Sequence, residues 1–463
     1  MTSRTAEILL TVDRNAPESL SAQIERQIRK AVRNGALRPG AAVPSMRDLA
    51  RDLGISRPTV MEAYAQLAAE GYLALRQGAG PKVAELTPRE AALVTPPPIP
   101  GIELRYSFRT GTPDLASFPR TRWVRATTAA LTKMQVEEFG YGHRHGAAPL
   151  RQALVDYLGR VRGVTADARQ VLIIGGFDQA RSFMAETLRQ RGVKRIAVED
   201  PGYGDRQVFL GTGFELIPVP LDDDGLRVDL LEATKAEAVL VTPAHQYPTG
   251  VVMSGARRLE LAAWLQKHDA IALEDDYDAE YRFDRAPIGA LQGLAPGHVV
   301  YAGTVSKTLA PALRLGWLVV PPQLLETLMT IQHLADNGRS RLEQHVLAEF
   351  ITSGDFDRHL RKMRAIYRDR RATLLEAVAQ ELPEAAVGGV SAGLHACVAL
   401  PHRVDEPAVM AAAARRGVEF GFMTPHYLGP QPDHSSMLLS YARMSESDIR
   451  AGVRGLKAAL ESA

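Results

Sequence analysis

The hydrophobic pattern of the first eighty positions predicts short amphipathic helices. From Leu20 to Asn34 apolar residues recur three or four positions apart, and Gly35 can end this helix. Ser45 can cap a second helix, with Asp48 three positions later to complete a capping box. The chain therefore begins with small helical elements.

A tight turn and a third helix follow. Gly54 supplies the turn, and Ser56 can cap a helix that tolerates Pro58 in its first turn. The residues of this helix that would be buried are Val60, Tyr64 and Leu67. Arg57 and Thr59 then face outward. Together with the strand-like YLALRQG that follows, this pattern predicts a winged helix-turn-helix.

Beyond residue 106, short apolar runs alternate with helical patterns. Examples are VLIIGG before FDQARSFMAETLRQRG, and AVLVTPAH before RRLELAAWLQKH. Continuous apolar runs are typical of strands buried on both faces of a largely parallel sheet. We therefore predict an α/β architecture with helices on both sides, in which ligands bind at the strand ends.

A proline-rich stretch separates the two patterns. Residues 85–105 contain five prolines, which favour an extended, semi-rigid spacer of roughly 60 Å. The alternative is a surface loop within one domain, but loops of this length are uncommon in compact domains. We predict a first domain at 14–84, a linker at 85–105 and a second domain at 106–463.

Composition narrows the class of protein. The 463 residues, 46% hydrophobic and 23% charged, are ordinary for a globular protein of two or three domains. The single cysteine, Cys397, excludes an intramolecular disulfide and a cysteine-rich metal site. No apolar run approaches 18 residues, and MTSRTAEILLTVDRN lacks the apolar core of a signal peptide. We expect a cytoplasmic protein with no membrane partner and no metal.

The charged residues of the first domain are predominantly basic. Between Leu20 and Gly80 nine basic residues face five acidic ones, a local excess of four that favours a phosphate backbone. The alternative is a small helical domain with solvated arginines. Charge together with the helix-turn-helix pattern favours DNA binding.

Carboxylates and a lysine mark two strand ends in the second domain. EDDYDAEYR places Asp275 and Asp276 at the end of an apolar run, and GTVSKTLAPALRLGW places Lys307 after another. One carboxylate can pair with a protonated heterocycle nitrogen, although Asp275 or Asp276 could simply cap the next turn. A lysine beside apolar surface has a lowered pKa and is a competent nucleophile toward an aldehyde.

The surrounding residues suit a phosphorylated cofactor. Thr304, Ser306 and Arg314 are donors for a phosphate monoester, and the glycines of GGF open a helix whose amides offer another phosphate site. Tyr277 can donate to a ring oxygen. An amine, a carboxylate, a phenol and a phosphate cup together indicate pyridoxal 5′-phosphate, held by Lys307 as a Schiff base.

Residues 14–84 resemble the GntR family of winged-helix repressors in GALRPGAAVPSMRDLARDLGISRPTV and LAAEGYLALRQGAG. The resemblance implies that the residues contacting double-stranded operator DNA are Arg47, Ser56, Arg57, Thr59, Gln77 and Gly78. Arg47 and Arg57 would contact phosphate or guanine edges, and Gln77 with Gly78 would enter the minor groove. Pro58 stands where that family often has a donor side chain.

Residues 106–460 resemble a fold-type I aminotransferase domain. The whole chain resembles the MocR/GabR-type regulators through SFRTGTPDLASFP, YGHRHGAAPLRQAL, EDPGY, HQYPTGVVMS, EDDYDAEYRF and GTVSKTLAPALRLGW. The resemblance makes Lys307 the catalytic residue that forms the internal aldimine. The other cofactor-binding residues that it implies are Asp275, Tyr277, Tyr203, Thr304, Ser306, Arg314, Gly176, Phe177 and Tyr141. Tyr141 would reach the phosphate of the neighbouring subunit, which implies a homodimer.

The chain departs from the aminotransferase pattern at three places. Tyr247 stands where asparagine precedes the PTG turn, so His245 or Gln246 is an alternative contact for the ring oxygen. Asp178 replaces a neutral amide side chain near the phosphate. Leu438 replaces the arginine that holds a substrate α-carboxylate, and Arg443 lies close to it in sequence.

The leucine at position 438 favours a transcriptional regulator over an enzyme. The leading interpretation is a sensor in which the cofactor, or an amine effector reacting with it, changes how two winged helices are held. The alternative is a working aminotransferase tethered to DNA, in which Arg443 or Arg206 supplies the carboxylate contact. A catalytically dead scaffold without cofactor is disfavoured by Lys307, Asp275 and Arg314.

Overall fold

The computed structural model describes residues 10–76, 79–85, 104–203, 209, 211, 213–283, 288–336, 338–389 and 392–463. The chain forms two compact units, Met1–Pro100 and Gly101–Ala463. Residues 86–103, most of the predicted linker, lie outside the described residues, and the predicted domain boundaries stay a prediction.

The first unit is a winged helix-turn-helix, as predicted. Its elements are α1 (Leu20–Arg33), α2 (Met46–Leu53), α3 (Arg57–Ala69), β1 (Leu73–Ala74) and β2 (Lys82–Val83). The two strands pair antiparallel, with Leu73 opposite Val83. A small core in which Ile24, Ile28, Val60, Tyr64 and Leu67 are fully buried joins α1 to α3.

Local capping fixes the ends of α2 and α3. The Ser45 hydroxyl accepts from the Asp48 amide at 3.1 Å, and the Asp48 carboxylate accepts from that hydroxyl at 2.6 Å. Gly54 ends α2 in the left-handed region, with φ of 62°, where a side chain would be strained. Ser56 caps α3, as its position in the sequence predicts.

The second unit alternates strands and helices. Its strands are β3 (Tyr106–Ser107), β4 (Val171–Ile174), β5 (Arg195–Asp200), β6 (Glu215–Asp222), β7 (Gly225–Leu226), β8 (Ala238–Val241), β9 (Ile271–Asp276), β10 (Val299–Thr304), β11 (Gly316–Val319), β12 (Ala386–Gly388), β13 (His395–Ala399), β14 (Val418–Glu419), β15 (Gly421–Phe422) and β16 (Ser436–Ser440). Its helices are α4 (Arg120–Lys133), α5 (Ala148–Arg162), α6 (Phe177–Gln190), α7 (Leu231–Thr234), α8 (Gly255–His268), α9 (Pro322–Asp336), α10 (Arg341–Thr352), α11 (Asp355–Glu381), α12 (Glu406–Arg415) and α13 (Glu446–Leu460).

The main sheet has the strand order β4-β11-β10-β9-β8-β5-β6-β7. The strands from β10 through β9, β8 and β5 to β6 pair parallel, as predicted. β11 lies antiparallel to both of its neighbours, a reversal that the apolar pattern does not reveal. β9 and β10 are buried along their whole length. Because the two strands pair parallel, their carboxyl ends meet at one edge of the sheet.

Helices cover both faces of this sheet. On one face Leu172 and Ile174 of β4 pack in a cluster with residues of α6 and α9. On the other face Val171 and Ile173 belong to a larger cluster with α5, α10 and α11. This alternation within one strand explains why its sequence is apolar throughout.

A second, four-stranded sheet has the order β12-β13-β16-β15. β13 and β16 pair antiparallel, with Cys397 opposite Leu438. Within the described residues, no helix has the length and apolar character needed to cross a membrane.

Candidate functional site

A cavity of about 470 Å³ opens beyond the carboxyl ends of β9 and β10. Its lining includes nine of the ten predicted cofactor residues: Gly176, Phe177, Tyr203, Asp275, Tyr277, Thr304, Ser306, Lys307 and Arg314. These positions come from segments that are far apart in sequence, so the sheet topology has brought them together. Tyr141 is the predicted residue that does not line this cavity.

Lys307 lies three residues beyond the end of β10. Its amine donates to the carbonyl oxygen of Gly111 at 2.7 Å. Burial lowers the pKa of Lys307, and the nearby Asp275 carboxylate opposes that shift in part. An amine with a lowered pKa has a larger unprotonated fraction, and the unprotonated amine is the nucleophilic form.

The carboxylate that faces this lysine is Asp275. It stands opposite Ala302 in the parallel pairing of β9 with β10 and is only 5% exposed. Burial raises the pKa of Asp275 well above its usual range, while the Lys307 charge acts in the opposite direction. A cationic partner in the cavity would therefore be strongly favoured beside Asp275.

The two neighbouring carboxylates have structural partners. Asp276 accepts from Arg162 Nε at 2.7 Å and from the Tyr301 hydroxyl at 2.6 Å, and all three side chains are buried. Glu274 accepts from the backbone amides of Leu291 and Gln292 at 2.8 and 2.9 Å. Neither of these carboxylates lines the cavity, which leaves Asp275 for a ligand.

Hydroxyl, guanidinium and amide donors converge at one end of the cavity. The Thr304 and Ser306 hydroxyl oxygens are 2.9 Å apart, and Arg314 completes the group from a left-handed backbone position with φ of 48°. Gly176, with φ of 113°, precedes Phe177 at the start of α6. Amides in the first turn of a helix have no intrahelical acceptor, so this end of the cavity suits an anion.

Asp178, the carboxylate near the predicted phosphate site, is paired with an arginine. Arg181, one turn along α6, donates to the Asp178 carboxylate at 2.7 Å. The guanidinium of Arg181 also lies 4.6 Å from the centre of the Tyr203 ring. Tyr203 in turn packs against Tyr247, with their ring centres 5.9 Å apart. These aromatic rings form one wall of the cavity.

Tyr277 lines the cavity, whereas His245 and Gln246, the two alternative contacts for the ring oxygen, are buried beside it. Its hydroxyl lies 2.9 Å from Nδ1 of His245, a buried histidine. Gln246 is also buried, and its amide donates to the carbonyl oxygens of Pro201 and Tyr247. Neither His245 nor Gln246 lines the cavity.

The position of the missing arginine is apolar. Leu438 is 2% exposed and packs with Cys397 and Met423, beside Tyr427. Arg443 is exposed and does not line the cavity, and Arg206 lies outside the described residues. Neither Leu438 nor Arg443 therefore provides a cation inside the cavity.

One segment that lines the cavity was not predicted from the sequence. Arg109, Thr110, Gly111 and Thr112 line the cavity, and the Thr110 hydroxyl lies 3.0 Å from that of Tyr247. Asp278, Leu394 and His395 were also missed. The landmark SFRTGTPDLASFP contained the first segment, but its spacing gave no chemical reason to select individual residues.

Tyr141 belongs to a different surface. It is 87% exposed and borders a hollow of about 580 Å³ with Phe139 and Arg341. Phe139 and Val136 nearby are 62% and 83% exposed. Exposed large apolar side chains that are grouped in this way mark a candidate protein contact surface.

The first unit presents a basic helix end. Arg47 and Arg57 are exposed, and neither has an ion-pair partner within residues 10–76 and 79–85. By contrast, Arg51 contacts Asp48 at 3.0 Å and Asp52 at 3.4 Å. The hydroxyls of Ser56 and Thr59 lie 2.7 Å apart at the start of α3. Gln77 and Gly78 fall outside the described residues.

Two family descriptions match separate parts of the chain. The gntR family of bacterial regulatory proteins matches residues 20–83, which implies DNA binding by the first unit. The class I and II aminotransferases match residues 107–451. The predicted combination of a GntR-type domain and an aminotransferase-like domain is therefore confirmed.

Relatives extend the similarity over nearly the whole length. The probable rhizopine catabolism regulatory protein MocR of Rhizobium meliloti is 32% identical, covering 97% of this chain and 96% of its own. The pyridoxine biosynthesis transcriptional regulator PdxR of Corynebacterium glutamicum is 30% identical, covering 96% and 97%. Among solved structures, Pyrococcus horikoshii kynurenine aminotransferase is similar with a TM-score of 0.71 and 27% identity, covering 77% of this chain and 91% of that one. The second unit therefore has the fold-type I architecture.

Proposed function

The chain belongs to the MocR-type transcriptional regulators, in which a GntR-type DNA-binding domain is fused to an aminotransferase domain, and we propose that its second unit binds pyridoxal 5′-phosphate and uses it as a sensor. The sensed molecule is the cofactor itself or an amine that reacts with it. Binding changes how the protein engages operator DNA.

One observation carries the cofactor proposal. The half-buried amine of Lys307 and the buried carboxylate of Asp275 face the same cavity from the ends of adjacent strands. Burial disfavours the charged form of each group. A ligand with an aldehyde for the amine and a protonated ring nitrogen for the carboxylate satisfies both.

The rest of the cavity fits the remaining parts of that cofactor. Thr304, Ser306, Arg314 and the amides at Gly176 and Phe177 would hold the phosphate. Gly176 has room for this approach, because an added Cβ would have only an Arg314 side-chain atom nearby, at 4.0 Å. Asp275 would hold the proton on the ring nitrogen, and Tyr203 would pack beside the ring.

When bound, the cofactor supplies an aldehyde that reacts with primary amines and a ring that accepts electrons. The chain's own contribution is to lower the pKa of Lys307 and to orient the ring. Tyr277 would contact the ring oxygen.

The apolar surroundings of Leu438 favour sensing over turnover. An α-amino acid would lose the charge-assisted contact that an arginine provides, which is worth about 1.5–3 kcal/mol. The similarity to a pyridoxine biosynthesis regulator supports the cofactor as one candidate effector. An amine without an α-carboxylate is the other.

A homodimer is part of the proposal. The exposed cluster at Val136, Phe139 and Tyr141 would be covered by a second copy, and Tyr141 would then reach the phosphate of the partner subunit. Two copies would also present two winged helices to an operator with two half-sites.

The first experiment tests the cofactor. Purified protein with added pyridoxal 5′-phosphate should develop a visible absorption band, and Lys307→Ala should abolish it. Lys133→Ala is the matched control, because that lysine is exposed and paired with Glu349, and it should keep the band. A band of unchanged intensity in Lys307→Ala would refute the assignment.

The second experiment separates the sensor from an enzyme. Footprinting of the DNA that flanks the gene, with and without the cofactor, should show protection that depends on the cofactor. A panel of α- and ω-amino acids should give little keto-acid product. Rapid keto-acid production together with unaltered footprints would favour the aminotransferase alternative.

A further inference from the structure

At the cavity wall, the side chains of Tyr277, His245 and Asp278 form a polar cluster. The Tyr277 hydroxyl lies 2.9 Å from His245 Nδ1. Both carboxylate oxygens of Asp278 lie 3.1 Å from the same nitrogen. His245 and Asp278 are each 1% exposed, so these contacts form in a region of low polarity where unmatched groups are costly.

The carboxylate determines which ring nitrogen of His245 carries hydrogen. If Nδ1 were unprotonated, its lone pair would face two carboxylate oxygens at 3.1 Å, and Asp278 would lose a donor. The hydrogen would then sit on Nε2, which is buried and has no hydrogen-bond partner within the described residues. Both consequences are unfavourable, so Nδ1 carries the hydrogen.

This assignment fixes the role of the tyrosine. The single hydrogen on Nδ1 is shared between the Asp278 carboxylate and the Tyr277 oxygen, so Tyr277 accepts from His245 at 2.9 Å. The phenolic hydrogen of Tyr277 is then not donated to His245. Because Tyr277 lines the cavity, its hydroxyl is left to donate in that direction.

Neighbouring groups keep this arrangement in place. The His395 ring lies 5.3 Å from the His245 ring, and burial lowers the pKa of His395 to about 4, so it adds no competing charge at neutral pH. Gly393 packs directly on His245, where an added Cβ would lie 2.0 Å from a ring carbon. Burial raises the pKa of Tyr277 well above its usual range, which keeps its hydroxyl protonated.

We propose that Asp278, acting through His245, is a positioning residue that directs the Tyr277 hydroxyl hydrogen onto the ring oxygen of bound pyridoxal 5′-phosphate. This inference rests on the proposed function, because it requires that the cofactor occupy the cavity. It assigns roles to Asp278 and His245 that do not involve contact with the cofactor.

The test compares two ligands that differ only at the ring oxygen. Dissociation constants are measured by equilibrium dialysis for pyridoxal 5′-phosphate and for 3-deoxypyridoxal 5′-phosphate. The wild type should prefer the first ligand. Tyr277→Phe should reduce this preference about tenfold, the size expected for one lost hydrogen bond. Asp278→Asn should also reduce it, because the charge that requires Nδ1–H is removed.

A matched pair at His245 distinguishes positioning from packing. Asparagine and leucine are similar in size, but only the asparagine amide places N–H donors near the Nδ1 position. His245→Asn should keep the preference within about twofold, and His245→Leu should lower it as Tyr277→Phe does. In a Tyr277→Phe background, Asp278→Asn should cause no further loss of preference.

The outcomes separate the two proposals. Absence of binding by either ligand to the wild type would overturn the proposed function itself. Binding of both, with a preference that Asp278→Asn and His245→Leu leave unchanged, would overturn only the positioning role. Equal weakening of both ligands in these variants would mean that the cluster is merely structural, and it would likewise overturn the role.

Discussion

Three consecutive carboxylates at the end of β9 are used in three different ways. Glu274 accepts from two backbone amides, Asp276 is paired with Arg162, and Asp275 faces the cavity. A buried carboxylate must have a partner, so the two that are satisfied by the protein identify the third as the ligand contact. Residue type alone would not make this distinction.

The apolar surroundings of Leu438 can be tested by substitution. Leu438→Arg would place a charge in the apolar cluster of Cys397, Met423 and Tyr427. We expect the free energy of unfolding to fall by about 2–4 kcal/mol. The measurement is chemical denaturation followed by the fluorescence of the tryptophans, all of which lie in the second unit.

The control for this substitution is Leu438→Met, which conserves volume and should cost less than about 1.5 kcal/mol. With pyridoxal 5′-phosphate present, Leu438→Arg should also speed the spectral change caused by α-amino acids, though modestly. Unchanged stability together with an unchanged response would show that position 438 faces an environment other than the apolar cluster.

The part of the site that could be predicted from the sequence is the part contained in one short segment. Lys307, Thr304, Ser306 and Arg314 lie in one short segment, so their chemistry can be read together. Gly111 and Asp278 could not be selected, because their importance depends on contacts made by folding. The Lys307–Gly111 bond joins positions 196 residues apart, and no local pattern encodes it.

The DNA-recognition surface proposed for α2 and α3 can be tested by replacing single arginines of these helices. Arg47→Ala and Arg57→Ala should each weaken specific operator binding by roughly 1–3 kcal/mol, because both side chains are exposed and available to DNA. The cofactor absorption should not change. Binding is measured by fluorescence anisotropy with operator DNA at fixed salt concentration.

Arg51 provides the control for these two substitutions. It lies on α2 like Arg47 but is paired with Asp48 and Asp52, so Arg51→Ala should have a smaller effect. If Arg51→Ala weakens binding more than both other variants, the helix face that contacts DNA has been misassigned.

The turn between α2 and α3 gives a second prediction. Gly54 has φ of 62°, and an added Cβ would meet nothing within 4 Å, so Gly54→Ala tests backbone conformation alone. We expect a loss of about 1–2 kcal/mol in local stability. Hydrogen exchange of peptides from α2 and α3 is the measurement.

Gly80→Ala serves as the comparison, because Gly80 also has open space around it but lacks a left-handed φ. It should leave exchange in α2 and α3 nearly unchanged. Equal effects of the two substitutions would show that the left-handed turn at Gly54 is not the source of the stability.

Helix ends were predicted correctly where capping residues a few positions apart determine them. Ser45, Gly54 and Ser56 act within a few residues, and the structure places them at the expected helix ends. The antiparallel direction of β11 could not be predicted, because a strand buried on both faces has the same apolar sequence in either direction.

At the scale of the whole molecule, the surface around Tyr141 predicts self-association. Phe139→Glu should shift the protein from dimer toward monomer, because a charge would be buried at the contact. We expect the dissociation constant of the dimer to rise at least about tenfold. Sedimentation velocity at micromolar concentration is the measurement. Leu259→Glu is the control, since Leu259 is 61% exposed on α8 and should not affect assembly.

If the protein is monomeric before any substitution, the dimer proposal fails independently of the cofactor proposal. If both variants weaken assembly equally, the contact surface lies elsewhere.

The hydrogen bond from Lys307 to Gly111 has a consequence for communication along the chain. Any reaction that consumes the lysine amine removes the donor from the Gly111 carbonyl. Gly111 lies only a few residues beyond β3, which follows the proline-rich segment directly. Occupancy of the lysine amine and the backbone conformation at Gly111 are thereby thermodynamically linked.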